Sequence, residues 1–343
     1  MKETLRSRAA VIAALFAVLF AGLALSACGG DDSSEASDSG SAETTAASTE
    51  GVEVKLGILQ GATLAAVAQE IGSIDDALAA EGATASYEGP FPAMVPAIEA
   101  MNAGDVDITY GSISAGIGAL AGNSDFKIMA IEPVQPDNEG IIVGADSGIS
   151  TVEDLKGKKI AINKAGTGEY LARLALDQAG LSPDDVEFVD LAPPDAASAF
   201  GSGQVDAWAT WSAFTGLAQD ELGGKMLITG GELGSLNDTP YIVDTGFAEE
   251  YPGLVAAVYK GLNDAATWVQ ENPKDAIAFY VESGLPPSVA KTQAASGQPV
   301  EAITDQAQID RFQQVSDYVA DQGVIPEVVD MSDRTVNVEE SGS

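Results

Sequence analysis

The chain has 343 residues, 52 of them Asp or Glu and 16 Lys or Arg, for a formal net charge of −36, with no histidine and a single cysteine, Cys28. That balance repels nucleic acid and anionic lipid surfaces. The missing imidazole excludes His-dependent triads and His metal sites, and one Cys excludes an internal disulfide. No Asp or Glu pair stands in a context that suggests a catalytic dyad, so no catalytic residue, metal or other cofactor is expected.

Lys2, Arg6 and Arg8 precede an apolar run from Ala9 to Leu25, which ends in Leu25-Ser26-Ala27-Cys28. A basic start, an uncharged apolar stretch and small residues at its end form the pattern of a secretory signal. The run is shorter than a membrane-spanning helix usually needs. Its end resembles a bacterial lipobox, which implies that residues 1–27 are removed and that Cys28 becomes an acylated N-terminus outside the cytoplasm. One acyl chain holds a membrane only marginally, and the lipoprotein class implies a diacylglycerol there. Residues 28–51 are almost wholly Gly, Ser, Thr, Ala, Asp and Glu. They cannot bury enough apolar surface to offset their ordering entropy, so they are expected to be a disordered tether. Without residues 1–27 the net charge becomes −38, so an anionic ligand has to be met by local donors.

From Val52 onward the chain is long enough for two ordinary domains or one two-lobed unit, and its segments alternate as in an α/β protein. Val52 to Ile58 alternates as a strand, and Gln60-Gly61-Ala62-Thr63 opens an Ala-rich helix to about Glu81. A short strand from Ala85 to Glu88 and a helix from Phe91 to Ala103 follow, with Gly104 as the stop. Asp107 to Tyr110 is a strand, Gly111-Ser112-Ile113-Ser114 turns into the next helix, and Lys127 to Ile131 is another strand.

The theme repeats after the apolar run Gly140 to Val143. Thr151 and Asp154 form a capping box. Lys158 to Asn163 is a strand, Lys164-Ala165-Gly166-Thr167-Gly168 a loop, and Glu169 to Ala179 a helix. Strands at Val186 to Leu191 and Ala207 to Thr210 are each followed by a helix, Pro194 to Gly201 and Ser212 to Leu222. Met226 to Ile228 and Tyr241 to Val243 are further strand candidates. After Phe247 only helices are expected, each with Pro or Asp near its start.

Particular stretches carry a family resemblance. They are Lys156-Gly157-Lys158-Lys159-Ile160-Ala161 with Ala179-Gly180-Leu181-Ser182, and Asp195 to Phe200 with Gly203-Gln204-Val205-Asp206-Ala207-Trp208 and Trp211. Ala97 to Asp107 and Gly323-Val324-Ile325-Pro326 add to it. They resemble the aliphatic sulfonate, taurine and nitrate group of periplasmic binding proteins, over Val52 to about Met331. The resemblance implies a type II periplasmic-binding-protein fold, α/β and two-lobed, with a helical C-terminal region: lobe one from 52–143, lobe two from 144–242, and a return over 243–343. It also implies a small-molecule solute held between the lobes of a monomer, with an ABC permease and its ATPase as partners.

Strand-to-helix loops set helix N-termini at the mouth of each sheet, where free N–H groups and the dipole attract an anion. By the family resemblance, Ser112 and Ser114 from lobe one, with Gln60, and Gly166, Thr167 and Gly168 from lobe two, are the solute-binding candidates. Lys164 is a secondary one. Trp208 and Trp211, three apart across a strand end, place Trp208 in the core and Trp211 against the solute.

Departures from the family pattern bear on the ligand. The family's Trp-Asp-Pro-Tyr is here Trp211-Ser212-Ala213-Phe214, and its Ser-Ser-Ala-His-Tyr is Gly166-Thr167-Gly168-Glu169-Tyr170. Its Gly-Asp-Ser-Pro is Ser112-Ile113-Ser114-Ala115. Glu169 therefore either points to solvent or serves an amine on the solute. The leading expectation is a small anion such as an aliphatic sulfonate, with nitrate, a taurine-like amine or a pyrimidine as alternatives. An enzyme on the same fold and a surface lipoprotein that binds a macromolecular partner are the competing function classes.

Overall fold

The computed structural model describes residues 47–341 except 62, 134, 297 and 298. The expected signal, Cys28 and most of the tether lie outside those residues. The last part of the expected tether is tied down: the Thr49 hydroxyl donates to the Glu81 carbonyl at 2.6 Å and the Gly51 amide to the Gly82 carbonyl at 2.9 Å.

The first strands are β1 (Glu53–Leu59), β2 (Thr84–Phe91), β3 (Ile108–Tyr110) and β4 (Phe126–Glu132). Next come β5 (Glu139–Gly144), β6 (Lys159–Ile162), β7 (Glu187–Asp190), β8 (Ala207–Trp211) and β9 (Gly224–Thr229). The last two are β10 (Thr239–Asp244) and β11 (Glu301–Ala302). One sheet runs β11-β4-β10-β3-β1-β2 and the other β7-β6-β8-β5-β9. Leaving out β11, the two share one plan. A first strand lies between its two successors, parallel to both, and an antiparallel strand (β10 or β5) separates them from the last.

Sheet membership moves the expected lobe limits by a few residues. β5 already belongs to the second sheet, so the chain crosses between Glu132 and Glu139 rather than at 144. β10 belongs to the first, so it returns by Thr239 rather than after 242. Two further expectations change. The Ala-rich segment is two helices, Leu64–Ile71 and Ser73–Ala80, because Gly72 takes a left-handed φ of 73° between them. The C-terminal region is not helical throughout, since β11 pairs with Ile131 and Ala130 of β4.

Packing follows from the apolar pattern. Val54, Leu56 and Ile58 of β1 are buried and pack with the helices Leu64–Ile71, Ser73–Ala80 and Pro252–Glu271. On the other side, Phe312, Val315 and Val319 of the helix Gln306–Asp321 join Ile113, Ile117 and Phe126. That cluster continues unbroken into lobe two through Ile141, Ile160 and Leu171. Lobe two has a second cluster around Trp208, with Phe200 at 6.2 Å and Phe214 at 5.9 Å between ring centroids. Alternation along β8 sends residues three apart to opposite faces. Trp208 is 2% exposed, while Trp211 leaves the core. Trp208→Ala should lower stability by about 3–5 kcal/mol in urea unfolding. A loss under about 1 kcal/mol would show that this indole does not centre the lobe-two core.

Candidate functional site

A cavity of about 550 Å³ opens between the two sheets. Its walls are the carboxyl ends of the parallel strands and the loops that follow them. Lobe one provides Leu59 and Gln60 after β1, Pro92 after β2, Ser112 after β3 and Glu132 at the end of β4. Lobe two provides Asn163 and Lys164 after β6, Asp190 at the end of β7, and Trp211 at the end of β8. This is where open α/β sheets hold ligands, because neighbouring loops diverge there and leave a crevice. Two residues on this wall, Ala165 in its loop at φ 58° and Ser212 at the start of the helix Ser212–Asp220 at φ 48°, have the left-handed backbone that side chains disfavour. Such strain persists only where the surrounding packing dictates it.

Of the residues singled out in the sequence, Gln60, Ser112, Thr167, Trp211 and the secondary Lys164 line the cavity. Ser114, Gly166, Gly168 and Glu169 stand behind the wall instead. Ser114 is 4% exposed and its hydroxyl lies 2.7 Å from that of Ser112. Gly168 is required by close packing, since a Cβ there would sit 2.6 Å from the Ala209 carbonyl oxygen and 2.7 Å from Asn163 Oδ1. A Cβ on Gly166 would also collide with the Asn163 side chain. Both glycines are thus required by the packing of protein atoms around them.

Glu169 meets neither of its two expectations, solvent or solute. It is 7% exposed, accepts from the Ala165 amide at 2.7 Å and pairs with Arg173 at 2.6 Å. Its carboxylate occupies the positive end of the helix Thr167–Gln178, which is the feature that was to attract an anion. On the lobe-one side, the Ile113 amide is likewise taken, by the Asp238 carbonyl at 3.0 Å.

Asn237, from the return crossover, organises the centre of the site. Its Oδ1 accepts from Ser112 Oγ at 2.6 Å, and its Nδ2 donates to Thr167 Oγ1 at 2.9 Å and to Glu139 Oε2 at 3.4 Å. The adjacent carboxyl group determines which end of the amide is the donor. Thr167 accepts here, so its own O–H is left to donate, whereas the Ser112 proton is already given to Asn237.

Two carboxyl groups that the sequence reading passed over also line the cavity. Glu139 heads β5, is 5% exposed and accepts from Ser235 Oγ at 2.5 Å. Burial pushes its carboxyl up from 4.5 to about 7. The Ser235 and Asn237 donors oppose the rise and the charge of Asp238 adds to it. Glu132 accepts from the Tyr241 hydroxyl at 2.5 Å, and burial raises its pKa against that bond. The only hint in the sequence was an acid at each end of the stretch that separates two apolar strands.

Two sheets of like plan, joined by two crossovers around a cavity at their carboxyl edges, define a two-lobed periplasmic-binding-protein fold. A family description, NMT1/THI5 like, matches residues 88–276, and the chain belongs to this family. It is 31% identical over 282 residues to a Bacillus subtilis (strain 168) protein named for binding aliphatic sulfonates, covering 82% of this chain and 85% of that one. The taurine-binding periplasmic protein of Escherichia coli (strain K12) is 29% identical over 237 residues, 67% of this chain and 70% of the other. The structure of the alkanesulfonate-binding protein SsuA from Xanthomonas axonopodis pv. citri bound to MOPS superposes with a TM-score of 0.78. Its identity is 26%, over 84% of this chain and 99% of that one.

A carboxyl whose pKa is raised on folding favours the folded state while protonated. Glu139 therefore contributes its full share below about pH 4.5, and that share is lost as pH rises to about 7. The interval corresponds to on the order of 3 kcal/mol. Glu139→Gln should accordingly gain stability relative to the parent by roughly that amount between pH 5 and pH 8, measured by urea unfolding. A difference that stays flat with pH would contradict the assignment.

Proposed function

We propose that the protein captures a small organic solute in the cleft outside the cytoplasm and delivers it to an ABC permease and its ATPase. The observation that carries this reading is the cavity itself: it lies between lobes joined by two crossovers, and both lobes supply its wall. Relatives named for binding sulfonates and taurine support solute capture of this kind.

An aliphatic sulfonate is the solute that those relatives suggest. Its anionic group would be met by Lys164, the one Lys or Arg among the described lining residues. Its alkyl part would pack on Trp211 and Phe214, whose rings meet edge-on at 5.7 Å. Closure of the lobes is the physical means of delivery, because only the closed form completes contacts from both sides.

Ligand at 100 times its dissociation constant stabilises a protein by about 2.7 kcal/mol. A thermal-shift series of alkanesulfonates and taurine should therefore raise the melting temperature of the parent. Trp211→Ala should weaken binding of the hits about tenfold in calorimetry. Unaltered affinity in Trp211→Ala would remove this ring from the site. Thr167→Val is a less clean probe, since it also leaves the Asn237 amide without its acceptor.

The lipobox-like end at Cys28 completes the proposal by holding the body at the membrane through acyl chains. In cell fractionation, Cys28→Ser should move the protein from the membrane to the soluble extracytoplasmic fraction. Equal membrane retention of parent and variant would rule the anchor out.

A further inference from the structure

The described residues contain three buried acids: Glu139, Glu169 and Asp238. Two are neutralised by arginine. Glu169 pairs with Arg173 at 2.6 Å, and Asp238 with Arg311 at 2.8 Å. Glu139 has only neutral donors, Ser235 and Asn237, and it is the one of the three on the cavity wall. Glu132, the other wall carboxyl of the crossover, likewise accepts from a neutral group, the Tyr241 hydroxyl. No Lys or Arg among the described residues is paired with either. The chain thus supplies a cation to its two buried acids away from the cleft and none to Glu139 and Glu132, which face it.

Holding a carboxyl out of water without a counter-ion is unfavourable, and an arginine or a neutral residue would relieve it. Positions retained against stability are characteristically those that a ligand uses. A simple anion fits poorly beside them. Thr167 Oγ1, a hydroxyl donor on this wall, shares the Asn237 amide with Glu139 Oε2. An ammonium or amidinium nitrogen fits well, since it brings the missing charge together with N–H donors for the remaining carboxyl lone pairs.

We infer that the cavity-wall carboxyls Glu139 and Glu132 offer counter-charge to a protonated nitrogen of the solute, so that the captured molecule carries an alkylammonium or amidinium group whatever its other end. The inference rests on the solute-capture reading and assigns one end of the ligand within it. Lys164, which is exposed and also lines the cavity, remains available to an acidic group on the same molecule.

The test is a matched set of n-alkylamines, n-alkanesulfonates and ω-aminoalkanesulfonates, titrated calorimetrically into the parent, Glu132→Gln, Glu139→Gln and the double variant. The melting temperature of each variant is recorded to show that it is folded. Adding the amine to a sulfonate of equal length should tighten binding to the parent about tenfold or more. The double variant should lose most of that advantage and bind the plain sulfonates at least as well as the parent does. Sulfonates that bind the parent equally with and without the amine would overturn the subsite and leave solute capture standing. An amine advantage that survives in the folded double variant would also overturn it. Failure of every compound to bind the parent would overturn both the subsite and the capture reading.

Discussion

A single buried amide, that of Asn237, touches all three parts that have to agree if the cleft is to exist. It holds the Ser112 turn of lobe one, the Thr167 helix start of lobe two and the Glu139 carboxyl of the outgoing crossover. Each bond uses a different valence of the amide, with both N–H donors spent and one carbonyl lone pair taken, and the donors fix its orientation. The lobes are also joined by the apolar cluster behind the cleft, by Arg173, which reaches the Gln322 carbonyl across the lobe boundary, and by Ser288, which bonds Asp220. Packing behind and a polar node in front together define the cavity. Only the polar node is positioned to respond to a solute.

Charge is managed locally against an overall balance of −36. At the start of the helix Thr167–Gln178 the Gly168 amide donates to Asn163 Oδ1 at 2.7 Å, while Glu169 in the first turn accepts from the preceding Ala165 amide and is held by Arg173. The helix start that commonly draws anions into such clefts thus already carries a carboxylate of its own. What remains facing the cavity is two carboxyl groups from the crossover, Asp190 engaged with the Lys164 amide at 2.9 Å, and Lys164 itself. A net acidic surface and an acid-rich cleft point in the same direction, and both favour approach of positive rather than negative charge.

Much of the fold was legible because strand periodicity is a local signal. β1, expected at 52–58 and found at Glu53–Leu59, shows this, as does the separation of Trp208 from Trp211 by strand alternation. The break at Gly72 was missed because an isolated glycine in an alanine-rich run is compatible with a continuous helix, and only the tertiary path selects its left-handed φ. β11 has two residues and owes its existence to pairing with β4. In the cleft, loop residues next to strand ends (Gln60, Ser112, Thr167, Trp211) could be placed from sequence, because strand-to-helix loops line such clefts by topology. Asn237 and Glu139 could not. They lie 98 positions apart, and neither crossover has a periodicity to reveal that its side chains meet. Glu169 was misplaced for a related reason: its environment depends on Arg173 and on how the preceding loop folds back.

Strand register shows how lobe two is attached. Thr239 of β10 stands opposite Glu132 of β4 in an antiparallel ladder, so the two strands are the arms of a hairpin whose connection is the whole of 133–238. A bare loop of that length would make the pairing entropically unfavourable and slow to find. Here the connection is itself a folded sheet, and the contact of Glu139 with Asn237 brings its two ends together. With lobe two folded, the effective loop is only a few residues on either side, so the entropic cost of pairing β4 with β10 is that of a short connection. The same arrangement gives the assembled molecule a two-stranded pivot, with the solute cavity directly beside it.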